Sequence, residues 1–210
     1  MGTGVNPGLA CDAIPIFLSG ALANLKKIRM RRVADISPYV DSQTIMTHFG
    51  IGLTPEEYQK KVEEGIVVGH WGSTESLAVI ADTLGWPVKM EQTKEPLIAK
   101  TRLDISGKRI EPGQVYGSKQ VDRGLMDGEE VIVIELVLAL KPETGGAETG
   151  MWYRLEGEPN IEVKFVSGIT GPEEVAKVTI ARAINAIPYV VRAKPGLLSV
   201  NEVGVISYLS

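Results

Sequence analysis

Ligands for a transition metal are scarce in this sequence: 210 residues contain one cysteine, Cys11, and two histidines, His48 and His70. A single thiol closes no intramolecular disulfide and two imidazoles build no zinc-type cluster, so a reducing cytoplasm fits and no metal site is expected. Long apolar runs are missing too. The longest, Val131 to Leu140, is interrupted by Glu135, far from the roughly 20 apolar residues of a membrane span. No basic segment leads into an apolar one, as a signal peptide would require. Nor is there a basic excess: the formal net charge is −4, which argues against nucleic acid as a partner. One local exception is "LKKIRMRRV", residues 25–33, where Lys26, Lys27, Arg29, Arg31 and Arg32 crowd together. As a strand it would turn Lys27, Arg29 and Arg31 to one face and Ile28 and Met30 to the other, the pattern of a solvated face or a subunit contact.

What is present suits one hydrophobic core with at most an appendage, since 44% of residues are hydrophobic and 23% charged. Asn6 followed by Pro7 reads as the N-cap and first residue of a helix reaching about Leu22 and bent at Pro15. Residues 26–36 read as a strand and 42–48 as a short helix. "TPEE" at 54–57 is a capping box opening a helix that Gly65 closes. A third helix begins near Ser73 or Thr74, carries Leu77, Ile80, Ala81 and Leu84 at helical spacing, and ends at Gly85. Strands follow at 88–93, 96–105 and 114–123. An Asp127-Gly128 turn then feeds an aliphatic strand whose Ile132, Ile134, Leu136, Leu138 and Leu140 share the face toward the helices. Met151, Tyr153 and Leu155, then Ile161, Val163 and Phe165, alternate as the arms of a hairpin. Thr170 and Glu173 form a second capping box, for a helix that Pro188 should stop at Ile187. The expected class is α+β, a mostly antiparallel (mixed) sheet with helices packed on one face. Residues 1–187 form the domain. Residues 188–210, broken by Pro188, Pro195 and Gly196, find no partner in that layout and suit a return crossing to another domain.

Three separated segments, in order, carry a resemblance. "GTGVNPGLACDAIP" at 2–15, "GHWGSTESLAVIA" at 69–81 and "AINAIPYVVRAKPGL" at 183–197 resemble the C-terminal domain of 2,4-diaminopentanoate dehydrogenase and its relatives, themselves similar to dihydrodipicolinate reductase. The resemblance implies a substrate-binding and oligomerisation domain of an NAD(P)-dependent oxidoreductase on a small amino acid, preceded in the family by a Rossmann domain. Such a site needs a strand, a glycine-rich turn and a helix N-terminus, and the sequence has no G-x-G-x-x-G. The chain alone is therefore expected to be inactive, NAD or NADP being bound mainly by a domain it lacks and supplied in cis or trans. Residues 188–210 would pack on that domain. By the resemblance, Gly2, Thr3 and Gly4 mark the crossover whose backbone would lie near the nicotinamide.

Amine dehydrogenation needs a group that manages the substrate nitrogen's proton, a binder for the substrate carboxylate and a dry pocket. His70, just before a helix whose N-terminal partial charge would keep the imidazole neutral, is the candidate for the proton. Glu75 could orient it or bind an ammonium, or serve only the helix dipole. Ser76 could hydrogen-bond the substrate. Asn6 could offer a carboxylate the free amides of a helix first turn, or merely cap that helix. The family tends to carry a lysine near position 48, where this sequence has a histidine read as a helix-terminal residue beside a glycine turn. Cys11 is expected to pack. A homo-oligomer through the open sheet face is expected. The competing reading is a non-catalytic ligand-binding or assembly module without nucleotide binding.

Overall fold

The computed structural model describes residues 1–166, 169 and 171–209. The chain opens with irregular turns and the short helix α1 (Ala13–Ser19), then strand β1 (Lys27–Asp35), helices α2 (Gln43–His48), α3 (Pro55–Glu63) and α4 (Ser73–Leu84). Six strands of sheet follow: β2 (Lys89–Ile98), the small hairpin β3 (Leu103–Ile105) and β4 (Lys108–Ile110), the long β5 (Val115–Met126) and β6 (Glu129–Ala139), and β7 (Gly150–Glu156). β8 (Ile161–Phe165) and the long helix α5 (Pro172–Arg192) complete the order.

The main sheet has the order β2-β5-β6-β1-β7-β8. Every neighbouring pair is antiparallel except β1 with β6. That parallel pairing is possible because α2 to α4 and the outer strands form the crossover between β1 and β6. The sheet is therefore mixed, as expected. Its helix face carries Ile28, Met30 and Ala34 of β1 and Ile132, Ile134, Leu136 and Leu138 of β6, joined in one cluster with Leu77 and Ile80 of α4. Leu140, just past β6, belongs to the same core. Arg29 and Arg31 point the other way and are exposed.

Two helix limits differ from the sequence reading. No helix begins at Asn6. α1 is capped instead by Asp12, whose carboxylate accepts from Ala13 N at 2.6 Å and from Gly8 N at 2.8 Å. Pro15 falls on the third residue of α1, where an amide has no intrahelical acceptor, so it starts the helix instead of bending it. Pro188 does not stop α5, which continues to Arg192. One ladder bond, to the Ile184 carbonyl, is lost there; at the helix end Arg192 Nε donates to the Pro188 carbonyl, 2.9 Å away. The capping box expected at Thr170 falls outside the described residues; the N-cap of α5 is Gly171, with no side-chain cap. The tail also has partners within the chain: Asn201 Nδ2 donates to Thr83 Oγ1 of α4 at 2.9 Å, and Leu209 N to Asn185 Oδ1 of α5 at 3.2 Å.

Candidate functional site

The site is built around the loop from Gly69 to Gly72, between the short α2–α3 segment and α4. Gly69 (φ +71) and Gly72 (φ +87) both need the left-handed region, and a Cβ on Gly72 would stand 2.5 Å from Pro7 Cδ. Only glycine allows the amino-terminal segment to close on this loop. Between them, His70 is held by the side chain of Gln120 on β5. Gln120 Oε1 accepts from His70 N at 2.9 Å, and Nε2 lies 3.1 Å from His70 O, 2.7 Å from Ser73 Oγ and 3.0 Å from Asp122 Oδ2. Asp122 in turn accepts from Thr74 Oγ1 and Gln92 Nε2, each at 2.7 Å. The hydroxyls at the start of α4 thus tie the helix to the sheet and do not cap it; the N-cap is Gly72.

His70 Nδ1 lies 2.7 Å from the Trp71 carbonyl and 3.2 Å from Asn6 Nδ2. A carbonyl only accepts, so the shorter contact puts the ring proton on Nδ1 and leaves the lone pair on Nε2. Nε2 makes no hydrogen bond among the described residues. Burial, and then the Arg32 guanidinium, pull the imidazole's pKa down to about 4. The direction matches the neutral ring expected from sequence, but the causes are desolvation and a neighbouring cation.

A cleft of about 480 Å³ opens beside this histidine. Its wall joins Asn6, Arg32, Asp35, His48 and His70 with an apolar side that includes Ile36, Ile45 and Leu138. His48, on the last turn of α2, meets Trp71 edge-on with ring centroids 4.5 Å apart. Asp35 Oδ1 accepts from the amides of Ser37 and Lys141 at 2.8 and 3.1 Å.

The other candidate residues fall at different depths. Asn6 reaches the cleft, though through its side chain and not as a helix cap: Oδ1 accepts from Ser76 Oγ at 3.2 Å. Ser76 is fully buried behind it, and its hydroxyl also lies 2.8 Å from Asp12 Oδ2. Glu75 is exposed on the first turn of α4, outside the cleft, with no hydrogen bond or ion pair among the described residues. Gly2 is exposed, with nothing within 4 Å of where a Cβ would stand, and Thr3 Oγ1 is buried without a partner. Gly4 packs on α5, its Cβ position 3.2 Å from Thr179 Cγ2. Cys11 is buried with Sγ 3.9 Å from Met30 Sδ, and desolvation raises its pKa strongly, so it is no nucleophile.

Arg32 escaped the sequence reading. The strand alternation that buries Ile28 and Met30, continued by two residues, places Arg32 on the same inward face, where it is buried. A charged residue on an apolar strand face was the available signal.

The sequence pattern described as the 2,4-diaminopentanoate dehydrogenase C-terminal domain matches residues 9–210. The chain belongs to that family. Within it, the chain is 34% identical over 200 residues to the 2,4-diaminopentanoate dehydrogenase of Acetoanaerobium sticklandii, covering 94% of this chain and 55% of that protein. It is 26% identical over 211 residues to an amine dehydrogenase of Streptomyces virginiae, covering 93% and 57% respectively. The family fold is also that of the amine dehydrogenase from Mycobacterium smegmatis, with a TM-score of 0.78 at 21% identity over 99% of this chain and 59% of that one. This member of the family thus spans a little over half the length of the relatives it matches.

Proposed function

We propose that this chain is the substrate and oligomerisation domain of an NAD(P)-dependent oxidoreductase that acts on the amino group of a small amino acid. A nucleotide-binding domain, in cis or in trans, completes it. The observation that carries this reading is a neutral imidazole with an unused Nε2 on the wall of a half-apolar cleft, in a chain whose relatives are amine and diaminopentanoate dehydrogenases.

The nicotinamide, when bound, supplies the hydride acceptor or donor. Gly2, Thr3 and Gly4 fit its ring end: an unpaired hydroxyl stands beside a backbone stretch with open space around Gly2. His70 Nε2 takes the proton that the substrate nitrogen releases, or returns it in the reductive direction. The Trp71 carbonyl accepts from Nδ1 and holds the ring, with Asn6 beside it, and Ser76 Oγ meets Asn6 from behind. Glu75 reaches the reaction only if the covering domain folds over the first turn of α4. The apolar wall keeps water from the reacting carbon.

An exposed stripe along α5, Ile180, Ile184, Ile187 and Val191 at 61%, 52%, 55% and 76% exposure, supports docking of the second domain on this helix and the tail after it. Apolar residues at such spacing are uncommon on a surface that stays wet. The setting is a reducing cytoplasm, and no helix among the described residues is long and apolar enough to cross a membrane.

The test is His70→Ala in the assembly of this chain with its nucleotide-binding domain, following NAD(P)H at saturating amine. Turnover falls at least about a hundredfold, the scale of a lost general acid or base. Near-unchanged turnover removes His70 from the proton's path.

A further inference from the structure

Asp12 is fully buried and makes no ion pair among the described residues. A carboxylate so placed is costly unless hydrogen bonds meet its lone pairs. Two of its partners are amides of its own segment, Ala13 N at 2.6 Å and Gly8 N at 2.8 Å. The third is Ser76 Oγ of α4, 2.8 Å away across 64 positions of sequence. Capping α1 uses the amides; the serine leads elsewhere. Its Oγ also lies 3.2 Å from the amide of Asn6, whose other end lies 3.2 Å from His70 Nδ1. Asp12, Ser76, Asn6 and His70 therefore stand in a row that runs from a buried charge to the proton-handling imidazole.

Proton accounting gives this row a direction. Ser76 has one hydroxyl proton, and Asp12 holds it, being both charged and the nearer acceptor. The serine then has only lone pairs to offer Asn6. At the other end Nδ1 carries a proton, shared with the Trp71 carbonyl at 2.7 Å. An amide oxygen toward Ser76 and an amide nitrogen toward Nδ1 would set acceptor against acceptor and donor against donor. Turning the Asn6 amide end for end removes both conflicts at once: its oxygen accepts from Nδ1 and its nitrogen donates to Ser76 Oγ.

We infer that Asp12 is a positioning residue for His70, acting through Ser76 and Asn6 as a chain of donors that all point from the imidazole toward its carboxylate. The inference rests on the reading of His70 as the group that handles the substrate proton. Each bond of the chain polarises the next, which fixes the Nδ1–H form of the ring and leaves the Nε2 lone pair open to the cleft. When Nε2 takes the proton from the substrate nitrogen, Nδ1 keeps its own. Asp12 stays ionised and answers the new positive charge through the chain.

The test is a double-variant cycle on turnover in the assembly with the nucleotide-binding domain, joined to 15N NMR of the histidine-labelled chain. Ser76→Ala and Asp12→Asn each lower kcat about tenfold, the scale of one hydrogen bond to a charged group. KM changes by less than about threefold, as for an interaction that matters in the transition state. The double variant loses no more than the worse single one, because a chain already cut has nothing further to lose; two merely structural losses would add. By NMR at neutral pH the unaltered chain holds His70 in the Nδ1–H form, and either variant admits the Nε2–H form, while His48 keeps its signals. Ser76→Ala removes one buried oxygen and leaves the cap of α1 in place, so it carries the test alone where Asp12→Asn does not fold. Additive losses, a change in KM in place of kcat, or an unaltered His70 tautomer in Ser76→Ala overturns the chain. A loss of about a hundredfold in His70→Ala with additive losses in the cycle removes the chain and leaves the proton-handling reading. Full turnover of His70→Ala, with a tautomer that still answers to Ser76→Ala, leaves the chain and removes that reading.

Discussion

At the scale of single residues, the site is a set of polar groups whose partners are nearly all supplied by the fold. Gln120 fixes His70 with both ends of its amide and also reaches Ser73 and Asp122, and Ser76 lies between Asn6 and Asp12. Among the described residues, His70 Nε2, Arg32 Nε and Thr3 Oγ1 stand apart with unspent capacity, and a functional site is where such exceptions collect. His70 also makes stability depend on pH. Its folded pKa of about 4 lies below the ordinary 6.5, so between those values the unfolded chain binds a proton that the native chain refuses. Stability accordingly rises with pH across that window and is fully present above it. Urea unfolding at pH 4.5 and pH 7 should show this loss on acidification. His70→Gln should lessen it by about 1–3 kcal/mol, allowing for the ring's partial exposure. An unchanged pH dependence in the variant removes His70 as its source.

Elements position these residues by a few backbone devices. The loop from Gly69 to Gly72 is pinned from both sides, by Gln120 of β5 and by the amino-terminal segment at Pro7. Two glycines of similar φ separate the role of conformation from that of close approach. Gly72 has φ +87 and Pro7 Cδ at 2.5 Å from a built Cβ, whereas Gly65, closing α3, has φ +70 and no neighbour within 4 Å. Gly65→Ala should cost about 1 kcal/mol from backbone strain alone, and Gly72→Ala about 2–4 kcal/mol. Thermal denaturation of both variants gives the comparison, and equal losses would remove the close approach as a determinant. The two prolines inside helices belong to this scale as well. A proline is read from sequence as a bend or a stop, but Pro15 sits in a first turn and Pro188 in a helix that continues to Arg192. Position within a helix decides which effect a proline has, and that position depends on where the helix began.

For the whole molecule, the two sheet faces divide the labour. One is covered by helices and carries the cleft. The other is a carpet of ion pairs, Arg29 and Arg123 on Glu130 and Arg31 and Lys119 on Glu135. Trp152 lies among them, 5.3 Å from Arg31 and 5.5 Å from Lys164 by ring centroid. We propose that this face joins two copies of the chain. Sedimentation at micromolar concentration should find a homo-oligomer, and Trp152→Glu, which sets an acid in the middle of the face, should shift it toward monomer. A wild-type chain that sediments as a monomer removes this assembly.

The sequence determined the elements whose signals are local. The capping box at Thr54 and Glu57, the Asp127-Gly128 turn with both residues at positive φ, and the five inward aliphatic residues from Ile132 to Leu140 lie as their spacing requires. Each depends on neighbours a few residues away. It also placed Asn6 and His70 as candidates, since both belong to segments that resemble the family. The strand read over 96–105 is divided between the end of β2 and β3, and the return arm β4 carries no signal in the sequence, since the hairpin's strands have three residues each, too short for alternation to register. Only the tertiary structure decided that Asn6 is a contact of His70 and not a helix cap, that Glu75 stays outside the cleft, and that Arg32 faces inward beside the histidine. A side-chain contact between residues 6 and 70 and hydrogen bonds between 70 and 120 join parts of the chain that sequence spacing leaves unrelated. The buried environment that keeps His70 neutral beside Arg32 exists only once the sheet has brought β1, β5 and the α4 loop together.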